Sequence, residues 1–398
     1  MGIIVQKYGG SSVSDVSKIK FIAERVIARK KKGDSMVVVL SAMGKSTNKL
    51  IDLARGISEN PDKRELDQIL CTGEIVSISL LAMAIKDMGY DAISYTGTQV
   101  GIKTTDLYGE ALIKSIDSKK IIQNLDQGKI VIIAGFQGVN SKGDVTTLGR
   151  GGSDTTAVAL TCALGGICEI YTDVSGIYSL DPRKFIGAKK LQYINYEEMM
   201  ELSSLGAKVM HTRSVELGKK YNIPIYVGMS TEENGGTFIM DNNMEKKIVT
   251  GIVTDSDDIS INLTNVDSNI NMISKLFNSI AQNRINVDMI SQTAPISSRI
   301  NISFTIPKEE KALCLNTIRE YVNDNQIQVD SDICKFSVVG LGMKTSYGVA
   351  AKVFEIFSNN NIEVKMITTS EIRITCAIRE KDEELAAELV AREFGLIG

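Results

Sequence analysis

Four glycine-rich stretches hold the residues best suited to chemistry: "KYGGSS" (7–12), "SAMGKST" (41–47), "GFQG" (135–138) and "LGRGGSDTT" (148–156). Glycine lets backbone N–H groups approach an anion closely, and a helix starting just beyond adds its dipole. One such loop says little, because glycine turns are common. Four in the same half of the chain, two of them carrying a strong cation (Lys7, Arg150), point to a polyphosphate or multi-anion site. "SAMGKST" ends like a nucleotide P-loop, but that motif needs a glycine five positions before Gly44, where this chain has Val39. The P-loop reading is rejected, and Lys45 reads as a solvated lysine at a helix start. The single histidine, His211, excludes a multi-histidine metal site and leaves a Ser-His-Asp triad one possible member. Whatever the site does, it does without imidazole as its main proton shuttle.

The elements that must position these loops alternate. Short β-branched runs ("GIIVQKYGG", "SMVVVLSAMG", "KIVIIAGFQG", "EIYTDVSGIY", "IPIYVG") are separated by amphipathic stretches such as "VSKIKFIAERVIARKKKG" and "EIVSISLLAMAIKDMG". Strands that are apolar on both sides, alternating with helices, indicate a mostly parallel sheet covered on both faces. In such folds ligands bind beyond the carboxyl ends of the strands, where these runs meet their glycines.

Length and composition agree. The 398 residues, 43% hydrophobic and 23% charged, suit two or three globular domains with a large core. A net charge of −3 gives no reason to expect nucleic acid or an anionic membrane as partner. "MGIIVQKYGG" lacks a signal peptide's basic and long apolar regions, Gln6 does not fit a myristoylation site, and no apolar run is expected to reach a membrane helix's length. A cytoplasmic protein is expected. Six scattered cysteines without a CxxC pair read as reduced, packed thiols, and Cys71, beside Glu74, as a bystander.

After the polar stretch "MDNNMEKK" (240–247) the texture changes. "FNSIAQNRINVDMIS" (277–291) aligns without gaps to "FEIFSNNNIEVKMIT" (354–368), with six identities in fifteen. Each copy reads as a helix end, a turn and a strand of one small α+β module. The first copy is complete as βαββαβ; the second lacks a last strand. "KIVTGIVTD" (247–255), a strand without a module, is expected to complete the second copy, so that the first is inserted within it.

Taken in order, "KYGGSSV", "SAMGKSTNKL", "LGRGGSDTTA", "YTDVSGIYSLDPR" and "GAKVMH" resemble the aspartate kinases of the amino-acid-kinase superfamily, and the C-terminal repeat resembles their paired ACT modules. The resemblance spans essentially the whole chain. It implies a three-layer α/β/α amino-acid-kinase fold with a mostly parallel sheet, followed by two ferredoxin-like α+β ACT modules. The implied division is a catalytic domain over 1–240, a linker and completing strand over 241–258, ACT module 1 over 259–330 and ACT module 2 over 331–398. The implied reaction is transfer of the γ-phosphoryl of ATP, with Mg²⁺ carried mainly on its phosphates, to the side-chain carboxylate of L-aspartate, opening lysine, threonine and methionine synthesis. A carboxylate is already ionised at neutral pH, so no general base is required and positioning with positive charge suffices.

Carried onto this sequence, the resemblance makes Lys7 the phosphoryl-stabilising cation, held by Asp154, with Gly9, Gly10 and Ser11 contacting ATP. Asp154 could also cap a helix, but the ion pair with Lys7 is the favoured reading. Thr172, Asp173, Tyr178, Arg183 and Lys208 complete the ATP set, although Tyr178 could be core packing. Arg150 is implied to grip a substrate carboxylate and Glu74 the ammonium, with Ser41, Thr47, Phe136 and Ser153 lining the pocket. Without the family, Glu74 would read as a surface helix charge. Thr212 replaces the family's usual proline after His211, and His211 reads as packed rather than catalytic. In the ACT modules Asn286, Val287, Asp288 and Gln292 are the implied effector contacts, for lysine, threonine or both, lysine favoured, in a homodimer formed through these modules. The competing reading is an inactive amino-acid sensor, against which stand Lys7, Glu74, Arg150 and Asp154.

Overall fold

The computed structural model describes residues 2–207, 209–231, 235–241 and 247–398, which form two compact units. The first is built on an eight-stranded sheet of β1 (Ile3–Tyr8), β2 (Ser35–Leu40), β3 (Ala92–Tyr95), β6 (Ile130–Ala134), β9 (Ile167–Thr172), β10 (Tyr193–Ile194), β11 (Ile225–Met229) and β12 (Thr237–Ile239). A small second sheet holds β4 (Ile102–Thr104), β5 (Ile113–Ile116), β7 (Gln137–Val139) and β8 (Val145–Thr147). The large sheet runs β10-β12-β11-β9-β1-β2-β6-β3, and only the β11–β12 pair is antiparallel.

Its middle strands are buried on both faces, as their unbroken apolar runs require. On one face Ile4, Tyr8, Met36, Val38 and Leu40 pack against α1 (Val16–Lys31) and α4 (Thr72–Asp87). Full burial of each such aliphatic side chain is worth about 1.5–3 kcal/mol. The other face carries α6 (Gly152–Leu164) and α8 (Thr212–Tyr221). The remaining helices of this half are α2 (Ser46–Ile57), α3 (Lys63–Leu70), α5 (Lys119–Asp126) and α7 (Tyr196–Ser204).

Contrary to expectation, one segment is long and apolar enough by composition to cross a membrane: the continuous helical stretch Lys63–Asp87. Within it Asp67 and Glu74 are turned into the protein and 44% of the apolar window is buried.

The second unit contains two four-stranded antiparallel sheets. One module comprises β14 (Asp258–Asp267), α9 (Ile270–Gln282), β15 (Ile290–Gln292), β16 (Arg299–Pro307), α10 (Lys311–Ile318) and β17 (Ile327–Asp330), with sheet order β15-β16-β14-β17. The other comprises β18 (Cys334–Val339), α11 (Val349–Asn359), β19 (Met366–Thr369), β20 (Arg373–Ile378) and α12 (Glu383–Glu393). Its fourth strand is β13 (Gly251–Asp255), shorter than the 247–255 run suggests and paired with β18 from Gly251↔Val339 to Asp255↔Lys335. The expected stretch 1–240 is not one uninterrupted unit. Tyr178–Lys189 packs into the second unit, where Leu180 and Phe185 join the core of the β18 module and Ser179 Oγ donates to the Leu396 carbonyl at 2.7 Å. Much of this loop is exposed, and Leu180, buried, and Phe185, half-buried, anchor it to that core.

Candidate active site

Four neighbouring strands, β9, β1, β2 and β6, present their carboxyl ends side by side. β1 delivers Lys7, whose side chain falls on the α6 face. There its ammonium meets Asp154 Oδ1 at 2.6 Å, both side chains nearly buried. Asp154 lies in the first turn of α6 but does not cap it; the cap position belongs to Gly151, at φ 66°. Its carboxylate is committed to Lys7.

Past Lys7 the chain turns through Gly9, whose N–H donates to the Tyr171 carbonyl at 3.3 Å, into a 3-10 turn over Gly10–Val13. The next loop lies directly against it. Gly44 N–H donates to the Gly10 carbonyl at 2.9 Å, and a Cβ on Gly10 would sit 2.9 Å from the Ala42 carbonyl oxygen, so only glycine fits there. Ser41 N–H donates to the Tyr8 carbonyl at 3.2 Å. Ser41 and Thr47 are half-buried, while Lys45 and Ser11 are exposed. The loops after β6 and before α6 are coupled likewise. Phe136 N–H donates to Thr156 Oγ1 (3.1 Å), and Leu148 N–H donates to the Phe136 carbonyl (2.9 Å). Phe136 has φ 69°, a conformation that costs a non-glycine residue about 1–3 kcal/mol and is held only where surroundings impose it. Ser153 is buried beside this loop.

Glu74 is not a surface charge. It is 3% exposed at the start of α4; its Oε1 accepts the Ala42 N–H at 3.1 Å, and its Oε2 is buried without a hydrogen-bond partner. Burial pushes its carboxyl up to about 7, against the pull of the Ala42 N–H. An acid with one oxygen satisfied and one buried and open suits a cationic ligand group. Cys71 is buried close by; burial first, then Glu74 and Asp67, pushes its thiol well above the usual range, which removes it as a nucleophile.

Arg150 is exposed and makes no ion pair among the described residues. His211 caps α8, its Nδ1 accepting the Arg213 N–H at 3.4 Å, and its ring lies so close to Gly151 that any Cβ there would run into it. Packing, not proton transfer, is its observed role.

Thr172 and Asp173 end β9, with Thr172 Oγ1 donating to Asp173 Oδ1 at 2.9 Å. Tyr178 and Arg183 belong to the second unit, where Arg183 binds Asp181 through Nε (3.0 Å) and Nη2 (2.8 Å). Lys208 lies outside the described residues. The structure therefore assembles Lys7, Gly9, Gly10, Ser41, Glu74, Phe136, Ser153 and Asp154 on linked loops.

Sequence reasoning missed a polar network behind Lys7. On the α1 side of the sheet Gln6 Nε2 and Tyr171 Oη both donate to Glu169 Oε2 (2.8 and 2.9 Å), and Tyr8 Oη donates to Gln6 Oε1 (3.0 Å). The signal was polar-tipped residues at alternate positions, 6 and 8 in β1 and 169 and 171 in β9, of largely apolar runs.

In the second unit, Asp288 is already in contact with an amino group. Lys335 Nζ, nearly buried, lies 2.9 Å from Asp288, 2.6 Å from Asp258 and 3.3 Å from Asp255. Burial disfavours this ammonium, but the bonds to Asp258 and Asp288 outweigh that and hold it well above the ordinary lysine value. Asn286 N–H donates to Glu310 Oε2 at 3.2 Å, Val287 packs on the module core, and Gln292 is exposed on β15.

A basic residue pinned at the glycine-lined carboxyl edge of a two-faced parallel sheet, with two four-stranded α+β modules behind it in sequence, defines an amino acid kinase carrying ACT domains. The amino acid kinase family profile matches residues 2–228 and an ACT-domain profile matches 259–321 and 336–394. The aspartokinase of Bacillus sp. strain MGA3 is 47% identical over 404 residues, covering 100% of this chain and 98% of that protein. A solved aspartate kinase from Synechocystis is 40% identical, with TM-score 0.56, over 98% of this chain and 69% of that one. Escherichia coli aspartokinase III, solved with aspartate and ADP, shares the fold at TM-score 0.80 and 24% identity, covering 98% of this chain and 99% of its own. The chain belongs to the aspartokinase family, phosphotransferases with a carboxyl group as acceptor.

Proposed function

We propose that this chain converts L-aspartate and Mg·ATP to 4-phospho-L-aspartate and ADP, the entry step to lysine, threonine and methionine synthesis. The observation that carries the reading is the Lys7–Asp154 pair beside Gly9 and Gly10, on loops bonded to the one that meets Glu74. A side-chain carboxylate oxygen of aspartate forms a bond to the γ-phosphorus as the bond from that phosphorus to the β-phosphate oxygen breaks. No proton moves, which suits a site without a histidine base. Mg²⁺ arrives on the nucleotide phosphates and offsets part of their charge. Lys7 neutralises charge on the transferring group, and Asp154 fixes where its ammonium sits. Gly9, Gly10 and Ser11 contact the phosphates. Thr172 and Asp173, at the end of β9, receive more of the nucleotide. Arg150 takes a carboxylate of aspartate and Glu74 its ammonium, with Ser41, Thr47, Phe136 and Ser153 around them.

The ACT pair binds an end-product amino acid, with lysine favoured, in a homodimer formed through these modules, and this binding lowers activity. Such coupling requires that effector and substrate prefer different states. An effector ammonium at Asp288 has to share that carboxylate with Lys335 or displace it.

Hydroxylamine traps acyl phosphates, so incubation with ATP and aspartate should yield aspartyl hydroxamate, and glutamate should yield little. No hydroxamate, or equal product from glutamate, overturns the assignment. Added to the same assay, lysine should inhibit; inhibition by threonine alone would reassign the effector.

A further inference from the structure

Arg150 sits in a turn whose approach two charged side chains hold, Asp67 buried and Arg213 half-buried. The turn is Gly149-Arg150-Gly151, with φ 76° at Gly149 and 66° at Gly151, closed by Gly152 N–H donating to the Gly149 carbonyl at 3.0 Å. Asp67, 1% exposed on α3, accepts three donors. Its Oδ2 takes the N–H groups of Gly109 and Thr147, each at 2.9 Å, and its Oδ1 takes Thr147 Oγ1–H at 2.6 Å. Arg213, in the first turn of α8, is half-buried and donates to two carbonyls: Nη1 to Leu148 at 2.7 Å and Nη2 to Ala111 at 2.6 Å. Each charge therefore ties the 109–111 segment to the 147–148 segment, the carboxylate through their N–H groups and the guanidinium through their C=O groups. A direct bond joins the same segments, from Ala111 N–H to the Thr147 carbonyl at 2.9 Å.

No ion pair explains either residue. Asp67 has no ion pair among the described residues, and Arg213, though it feels Glu110 and Glu216, has no ion pair with either; the hydrogen bonds of both go to the 109–111 and 147–148 segments that lead into the turn. Bonds from a charged group to a neutral partner are worth more than neutral ones, and a guanidinium spans two carbonyls that a single ammonium cannot hold together. His211, two residues before Arg213, closes the far side of the turn against Gly151.

We propose that Asp67 and Arg213 are positioning residues that preset the turn carrying Arg150, so that its guanidinium meets the substrate carboxylate without first being ordered. This rests on the reading of Arg150 as the aspartate-binding arginine. Neither residue bonds Gly9, Gly10, Thr172 or Asp173, so loss of the clamp should fall mainly on aspartate.

The test is steady-state kinetics of the full chain with each substrate varied, for Arg213→Met, Arg213→Lys, Asp67→Asn and Arg150→Lys. Losing both charge-assisted bonds in Arg213→Met should raise KM for aspartate by about tenfold or more, with KM for ATP changed less than about twofold. Arg213→Lys keeps the charge and one bond and should recover part of the loss; it also decides the matter if Arg213→Met does not fold. Asp67→Asn should raise KM for aspartate in the same selective way. Equal rises for both substrates, or a lowered Tm with both KM values unchanged, overturn the clamp. If Arg150→Lys leaves KM for aspartate unchanged, the role of Arg150 falls and the clamp's purpose with it; if it raises that KM while Arg213→Met does not, the clamp alone falls.

Discussion

Lys7→Met should lower kcat by about three orders of magnitude, the scale of losing one preorganised group aimed at developing charge in a water-poor site. Lys7 is suited to that role by its surroundings. Its strand lies between β2 and β9, its side chain is nearly buried, and Asp154 holds its ammonium at 2.6 Å. Removing it leaves Asp154 uncompensated, so some loss of stability is also expected. Lys7→Met combined with Asp154→Asn should restore stability without restoring turnover, and Tm alongside kcat separates the two effects. Asp154→Asn alone should keep the fold and lose less activity than Lys7→Met, because the cation remains but is no longer fixed. A Lys7→Met enzyme with substantial residual hydroxamate production would show that the charge comes from elsewhere.

Glu74→Gln should raise KM for aspartate about a hundredfold at pH 8, as expected when a buried charged partner is lost. The same change should remove a pH dependence. Glu74 titrates near 7 in the folded protein because burial disfavours its carboxylate. Above that pH it is ionised and ready for an ammonium; below it the site is neutral. KM for aspartate in the wild type should therefore fall as pH rises from 6 to 8 and level off, whereas the Glu74→Gln profile should be flat. Stability moves the other way. A carboxyl that titrates near 7 folded and near 4.5 unfolded holds its proton more tightly when folded. The folded state is therefore progressively penalised as pH rises from about 4.5 through 7, by up to about 3 kcal/mol, before substrate is added. Free enzyme should lose Tm over that range relative to Glu74→Gln, and aspartate should recover it. A wild-type KM that is constant from pH 6 to 8 would remove Glu74 from the ammonium site.

Much of this was legible in the residues. The apolar runs at 3–8, 35–40, 130–134, 167–172 and 225–229 are strands of the large sheet, because a strand covered on both faces leaves a continuous hydrophobic signal. The 277–291 and 354–368 repeat lands on equivalent positions, each running from a helix into an edge strand. Strands β4, β5, β7 and β8, three or four residues each, carry too little pattern to be read. Glu74 could not be recognised as buried from its own helix, since that depends on which face the neighbouring loop covers. Asp67 and Arg213 bind backbone groups 42 to 102 residues away, and peptide N–H and C=O groups leave no mark in a sequence. The contact between Asp288 and Lys335 was hidden for the same reason: a charge at position 288 says nothing about position 335.

The path of residues 178–189 sets a limit on how this protein can be divided. Sequence order invites a cut near 240 that would free a catalyst from its regulator. Leu180 and Phe185 make that impossible to do cleanly, for they are bricks of the regulator's core supplied from the catalyst's stretch of chain. A fragment ending at 240 would carry both side chains with nothing to cover them, and a transplanted 247–398 would be left with the holes they fill. Neither half is portable. A swap of regulatory modules between relatives has to move the 178–189 loop together with the C-terminal modules, as one inheritance in two pieces.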